Sequence, residues 1–175
     1  MLNKLWIIGI IIFVTNLCFH TYGQELEKPE QKLPPARKIP GITTQDPFPG
    51  ACVDCHINYT NMNLDTKFSS LMKIWRVKVD SALLQKAQDA APAGMILKGK
   101  HPAKPDSFNN IPGECLTCHS KFSKTAPPFA RLIHKIHLTG GEQNHFLTIF
   151  QGECTYCHKL NLTSGNWTIP SGAEK

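Results

Sequence analysis

Three short stretches of this sequence share the pattern Cys-x-x-Cys-His, whose side chains could hold a metal-containing cofactor. They occupy residues 52–56, 115–119 and 154–158. The residues concerned are Cys52, Cys55 and His56; Cys115, Cys118 and His119; and Cys154, Cys157 and His158. In this pattern the two thiols can form thioether bonds to the vinyl groups of one haem, and the adjacent histidine can supply a nitrogen ligand to its iron. The pattern therefore predicts three covalently bound haem c groups.

Three other interpretations of Cys-x-x-Cys are half of a zinc site, a redox-active dithiol and a local disulfide. None of them requires a histidine directly after the second cysteine, whereas all three copies have one. The chain contains only 8 histidines in 175 residues, so three such placements are improbable as coincidence. The histidine therefore favours haem over the other interpretations.

The three motifs lie in a repeated sequence frame. Each has an apolar residue four positions before its first cysteine and a glycine two positions before it. These residues are Phe48 and Gly50, Ile111 and Gly113, and Phe150 and Gly152. We expect the glycine to let the backbone turn close to the porphyrin, and the apolar residue to lie against the ring. The frame indicates a duplicated unit, although the unequal intervals between the motifs exclude a regular solenoid.

Three haem irons with two protein ligands each would need three axial ligands besides the motif histidines. Apart from His20 near the N-terminus, the other histidines are His101, His134, His137 and His145. We predict a helix over residues 129–138, which begins after two prolines and stops before two glycines. His134 and His137 are three residues apart in this helix, so their rings leave the same face and can reach two neighbouring irons.

The remaining two candidates precede the second and third motifs. Pro102 holds His101 extended, and the distance along the chain to Cys115 suits folding back over the second haem. His145 could do the same for the third haem. One histidine is surplus, so we assign the distal positions to His101, His134 and His137 and keep His145 as the alternative.

Sulfur ligands are also available. Met62, Met72 and Met95 could ligate iron and would raise the potential of a site. Because nitrogen ligands suffice for all three irons, the sequence predicts bis-histidine coordination and low potentials.

The longest apolar stripe at helical spacing lies between the first two motifs. Leu71, Trp75, Val79 and Leu83 recur every four residues, which predicts one helix over residues 68–88. We interpret it as a packing helix that covers the first haem, with Trp75 as an electron relay as the weaker alternative. Residues 91–112 are expected to be a loop because prolines recur there.

The N-terminus has the organisation of a secretory signal peptide over residues 1–23. Lys4 precedes a short apolar run, and small residues ending at Gly23 suit cleavage. The run is short for a membrane span, which needs about 20 apolar residues, so an uncleaved anchor is the alternative. Cleavage would remove Cys18 and leave the six motif cysteines. Export and covalent haem attachment both indicate a periplasmic or otherwise exported protein.

Charge argues against nucleic acid as a partner. The formal net charge is +6 and falls by one when Lys4 is removed, and the propionates of three haems would bring the protein close to neutral. No cluster of lysine and arginine stands out. We therefore predict no nucleic-acid partner, and membrane contact only if the signal segment stays attached.

These observations predict a domain organisation and a fold class. A Pro-rich arm or linker follows the signal peptide over residues 24–49, a first haem lobe with the packing helix covers 50–97, and the second and third haem lobe covers 98–175. The expected fold is mainly α with much irregular structure, a small multihaem cytochrome wrapped around three covalent haems. We expect the second and third haems to form a compact pair around His134 and His137, with the first haem apart.

With its motifs identified, the chain resembles multihaem c-type cytochromes of bacterial respiration. The segment over residues 134–137, His-Lys-Ile-His, is similar to the His-Lys-x-His signature of class III cytochromes and to the haem units of bacterial decahaem cytochromes. In those families the paired histidines ligate two different haems. The stretch from His101 to the third motif more faintly resembles the dihaem small subunit of periplasmic nitrate reductase. The long interval after the first motif departs from class III cytochromes.

The sequence thus predicts electron transfer through three haems between respiratory redox partners. Electrons would come from a quinol-oxidising membrane complex or a periplasmic dehydrogenase and pass to a reductase. One alternative is an enzyme in which one haem keeps an open site and acts on a small nitrogen or sulfur compound. Another is a non-catalytic haem subunit of a larger oxidoreductase complex, with the Pro-rich arm as the docking element.

Overall fold

The computed structural model describes residues 33–102 and 107–175, in which short helices alternate with irregular chain. The α-helices of these residues are α1 (Cys52–Cys55), α2 (Phe68–Val77), α3 (Ser81–Ala90), α4 (Gly113–Leu116), α5 (Phe129–Leu138) and α6 (His145–Thr148). Two antiparallel pairs of two-residue strands join β1 (Asn58–Tyr59) to β2 (Leu64–Asp65), and β3 (Lys159–Leu160) to β4 (Trp167–Thr168). The predicted fold class, mainly α with much irregular structure, is confirmed at this level.

The chain divides into two units, of which the second covers residues 37–175 and contains every motif. Only residues 33–36 of the first unit are described. The predicted signal peptide at residues 1–23 therefore lies outside the described residues, as does the start of the Pro-rich arm. Among the helices that the structure describes, none is long and apolar enough to cross a bilayer.

The single helix predicted over residues 68–88 is wrong, because the chain breaks between α2 and α3. Lys78 is extended, with φ −159° and ψ 131°. The carboxylate of Asp80 then accepts hydrogen bonds from the N–H groups of Ala82 (2.9 Å) and Leu83 (3.2 Å). An aspartate in this position caps the start of a new helix. The apolar stripe continues across the break, so periodicity alone did not reveal it.

Helix α5 has the limits that the sequence predicts, and a side chain closes its C-terminal end. The Asn144 amide donates hydrogen bonds to the carbonyl oxygens of Ile136 (2.9 Å), His137 (2.9 Å) and Thr139 (2.7 Å). Lys86 of α3 donates to the carbonyls of Ile136 and Thr139 as well. Because these carbonyls have no partner within the helix, the bonds fix both the end of α5 and its packing against α3.

Residues 37–49 pack against the third motif. Arg37 pairs with Glu153 at 3.2 Å, and Asp46 pairs with Lys159 at 2.8 Å. The ring of Phe48 contacts that of Tyr156 with centroids 4.9 Å apart. This proline-rich segment therefore has defined contacts with the rest of its unit.

The buried apolar core is small and lies between the first and second motifs. Val53, Phe108 and Ile111 are buried together, and Ile111 has no exposed surface. The C-terminal segment completes this core, because Ile111 and Gly172 exchange two backbone hydrogen bonds of 2.7 and 3.0 Å. The tail thus returns to the first two motifs, and it does not wrap the third motif alone as its sequence position suggests.

The C-terminal segment also caps helix α2, which leads to a stability prediction. Ser69, in the first turn of α2, donates its backbone N–H to the Glu174 carboxylate at 2.8 Å. We expect Glu174→Ala to lower the free energy of unfolding by about 1 kcal/mol. The backbone N–H groups in the first turn of α2 would then lose the only side-chain acceptor that they have within the described residues. Thermal unfolding followed by circular dichroism measures the change. Glu142→Ala on an exposed turn is the control, and equal melting temperatures for both variants would contradict the capping role.

Candidate functional site

The three Cys-x-x-Cys-His motifs fold in the same way. In each, the backbone N–H of the histidine donates to the carbonyl oxygen of the first cysteine, at 2.9 Å in all three copies. This bond closes one helical turn, although the first two motifs contain α-helical residues and the third forms a 3₁₀ turn. Residues three and four apart in such a turn share a face. Both thiols and the imidazole of each motif are thereby presented together.

Six of the histidines come together as three pairs, each with one motif histidine and one distal candidate. The ring centroids of His56 and His137 are 6.1 Å apart, those of His119 and His101 are 6.1 Å apart, and those of His158 and His134 are 6.0 Å apart. The structure therefore brings every motif histidine beside one of the three residues that the sequence selects as distal ligands. His145 is exposed at the start of α6 and is not a member of these pairs.

The separation within the pairs matches two imidazoles on opposite sides of one metal ion. A metal–imidazole bond is about 2 Å long, and the ring centre lies behind the bonding nitrogen, so two such rings have centroids about 6 Å apart. Direct contact between two stacked rings would bring them closer, as Phe68 shows by lying on His56 at 4.0 Å. The interplanar angles differ: 78° for His56 with His137, 42° for His134 with His158 and 17° for His101 with His119.

Backbone carbonyls set the tautomer of four of these imidazoles. The Nδ1 atom of each ring lies within hydrogen-bond distance of one backbone carbonyl oxygen. The pairs are His56 with Thr66 (2.8 Å), His101 with Pro102 (2.9 Å), His119 with Pro127 (2.7 Å) and His137 with Ile133 (3.0 Å). A carbonyl can only accept, so Nδ1 carries the proton and donates it. The lone pair is then on Nε2, which is the state required of a nitrogen ligand with an oriented ring.

Burial keeps the first pair of rings neutral. It lowers the pKa of His56 to about 4, and it is also the main reason that the pKa of His137 is lowered. Both imidazoles therefore have a free lone pair at neutral pH. A neutral ring is the form that binds a metal ion.

The thiols of the first motif are also shielded from water. Burial, followed by the nearby Cys157 thiol, raises the pKa of Cys52 and Cys55 to about 11. Burial likewise raises the pKa of Cys157. These thiols are therefore protonated at neutral pH.

Two apolar cavities adjoin the paired histidines. The first has a volume of about 290 Å³ and is lined by groups of all three motifs. The second has a volume of about 360 Å³ and lies beside His101, His119 and Cys118 of the second motif. Trp75 lines both cavities, as does Leu83. The apolar stripe of α2 and α3 thus faces the site, as expected of packing helices.

The pairing along α5 differs from the arrangement expected from sequence. His134 lies beside His158 of the third motif, as expected, but His137 lies beside His56 of the first motif. The expectation that α5 joins the second and third motifs and leaves the first apart is therefore wrong. The reason is the packing of α5 on α3 described above, which turns its C-terminal end toward the first motif. Spacing along the chain carries no information on that packing.

The repeated frame before the motifs has a role within the protein. Phe48 contacts Phe150 with ring centroids 5.7 Å apart, and Ile111 lies in the core. A Cβ on Gly50 would lie 2.8 Å from the Asp54 carboxylate, and one on Gly113 would lie 2.6 Å from the Asn110 amide. A Cβ at either glycine would therefore displace a neighbouring side chain, and the role of the glycines toward a porphyrin stays a prediction.

Sequence reasoning missed several residues that position the imidazoles. Phe68 stacks on His56, and Phe146 packs edge-on against His137 with centroids 5.5 Å apart. The carbonyl oxygens of Thr66 and Pro127 orient His56 and His119. An aromatic residue within the helical stripe was a signal for Phe68, but a backbone carbonyl has no sequence signature.

Of the candidate sulfur ligands, Met62 is 61% exposed and Met72 packs on the core.

No family model, curated protein or solved structure matches this chain. In the described residues no three His, Cys, Asp or Glu side chains are grouped so as to hold one metal ion.

Proposed function

We propose that this protein is an exported trihaem c-type cytochrome that transfers electrons between respiratory redox partners. The observation that carries the proposal is the set of three histidine pairs, each at the separation of two axial ligands and each beside a Cys-x-x-Cys turn. No other interpretation of the motifs requires a second histidine opposite the first. The resemblance of residues 134–137 to multihaem cytochrome signatures supports the same function.

The donor set fits three haem c groups, each with its own residues. The first would be held by Cys52, Cys55, His56 and His137; the second by Cys115, Cys118, His119 and His101; and the third by Cys154, Cys157, His158 and His134. A bound haem supplies an iron that cycles between two oxidation states by one electron.

The protein's contribution is to orient the ligands and to exclude water. The carbonyls of Thr66 and Pro127 hold two motif imidazoles with Nε2 free to bind. Neutral bis-histidine ligation favours low potentials relative to Met/His ligation. Trp75, Leu83 and Ile136 contribute an apolar lining to the second site, which would limit the access of water. Such surroundings reduce the reorganisation that accompanies a change of charge at the iron.

Saturated ligation favours an electron carrier over an enzyme. Since each motif histidine faces a partner, no iron would retain a position for a small nitrogen or sulfur compound. The partners would be a quinol-oxidising membrane complex or a periplasmic dehydrogenase on one side and a reductase on the other. Contact with them would be transient and small, as is usual for electron-transfer encounters. The predicted signal peptide places this function outside the cytoplasmic membrane.

The haem content tests the proposal directly. We expect the protein, produced in a bacterium that attaches haem c, to carry three covalent haems per chain by pyridine haemochrome absorbance and by intact mass. Its spectra should be low-spin and insensitive to carbon monoxide in both oxidation states. A chain without covalent haem would refute the function, and a carbon-monoxide-binding haem in the unmodified protein would favour the enzyme. Elution of the native protein as part of a larger complex would identify it as a subunit.

A further inference from the structure

We infer that the site of the first motif lies between the other two, so that the spatial order of the sites is second, first, third and not their order along the chain. The inference rests on the proposed function and adds the order of the sites to it. Three observations carry it: the lining of the first cavity, the two histidines of α5, and the exposure of the motif cysteines.

The first cavity places the first motif next to both others. Cys52, Cys55 and His56 line it together with Cys115 of the second motif and Cys157 of the third. Of the three motifs, only the second contributes residues to the lining of the second cavity. The first motif contributes all three of its Cys and His residues to the lining of the first cavity, whereas the second contributes Cys115 and His119 and the third contributes Cys157.

Helix α5 connects the first site to the third. His137 faces His56, and His134 faces His158, although the two distal residues are only three positions apart. Residues at this spacing have Cβ atoms about 5–6 Å apart. Their two irons would therefore be neighbours, held at a distance set by one turn of a rigid helix.

The first and second sites adjoin cavities that have several lining residues in common. Trp75, Leu83 and Leu132 line both cavities. The carbonyl oxygen of Trp75 accepts a hydrogen bond from the backbone N–H of His101 at 2.9 Å, which ties the distal residue of the second site to α2. The first and second sites therefore adjoin the same side chains of α2, α3 and α5.

The exposure of the cysteines identifies the outer sites. Cys118 of the second motif and Cys154 of the third are exposed, whereas neither Cys52 nor Cys55 is. Thioether cysteines mark one edge of the haem that they hold. The second and third sites therefore each have one exposed cysteine where a haem edge would be open to a donor or acceptor protein, whereas both cysteines of the first site are half-buried.

Nuclear Overhauser contacts between haem protons in the fully reduced, diamagnetic holoprotein test this order. We expect cross-peaks from haem substituents of the first site to both other haems, and none between the second and third. Each haem is assigned through contacts with its own axial imidazoles. His137→Met, which places a methionine methyl group on the first haem, checks that assignment independently, and His145→Ala should leave all haem shifts unchanged.

The outcomes of this experiment distinguish an error in the order of the sites from an error in the proposed function. Cross-peaks between the second and third haems, with the first contacting only one of them, would overturn the inference while leaving a trihaem cytochrome. Absence of covalent haem would instead refute the proposed function itself. Because the contacts are measured in the unmodified holoprotein, the test does not depend on a variant that folds.

Discussion

Replacing His137 with alanine is expected to convert one of the three proposed haems from a low-spin to a high-spin state that binds carbon monoxide. His137 lies opposite His56 at the separation of two axial ligands, and its Nδ1 donates to the Ile133 carbonyl. Alanine leaves the motif and its thioether bonds in place but removes the sixth ligand. An iron with five ligands takes up carbon monoxide at the vacant position. About one third of the haem should therefore respond.

Three further variants make this test specific to the pairs. His101→Ala and His134→Ala should each have the same effect on one haem, at the second and third sites respectively. His145→Ala is the matched control, because this exposed histidine lies in the same part of the chain and faces no motif histidine in the described structure. Ferrous spectra with and without carbon monoxide measure the converted fraction. A response to His145→Ala together with silence at His137 would contradict the assignment of ligands.

Replacing His101 with methionine is expected to raise the reduction potential of one haem by on the order of 0.1 V, a modest part of the range of about 0.8 V that axial ligands span. A thioether stabilises the reduced iron relative to an imidazole. His101 suits this exchange because it lies in a loop, where no helical packing has to change. Its ring faces His119 at 6.1 Å with nearly parallel planes.

A spectroelectrochemical titration of the holoprotein measures this shift. The other two haems should titrate close to their original potentials, with small changes from the altered charge of a neighbour. His145→Met controls for the added methionine, and it should leave all three potentials in place. If His101→Met leaves every potential unchanged and the haems low-spin, His101 is not an axial ligand.

The sequence was informative wherever the chemistry is local. Cysteines and a histidine at positions 1, 4 and 5 share one face of a helical turn, so each motif is complete within five residues, and all three turns have the same hydrogen bond. The limits of α5 also follow from local signals, since prolines precede it and glycines follow it. Counting ligands showed that one of the four candidate histidines is surplus, and the structure places His101, His134 and His137 beside the motif histidines.

The break between α2 and α3 was not predicted, although a local signal existed. Asp80 is a good N-cap residue, but it lies in a stripe of apolar residues that continues at helical spacing through Val79 to Leu83. The periodicity outweighed the cap in the interpretation. Val79 donates its N–H to the Gly99 carbonyl at 2.8 Å, a contact with a distant loop that stabilises the break.

The sequence alone thus determines the three Cys-x-x-Cys-His motifs and the four candidate distal histidines. Covalent attachment and axial ligation depend on which side chains are present and how closely they are spaced. Only the tertiary structure decided which motif each histidine of α5 faces. His137 faces the first motif and not the second because α3 and the Asn144 amide fix the end of α5. Packing between segments more than 50 residues apart sets that orientation, and spacing along the chain does not encode it.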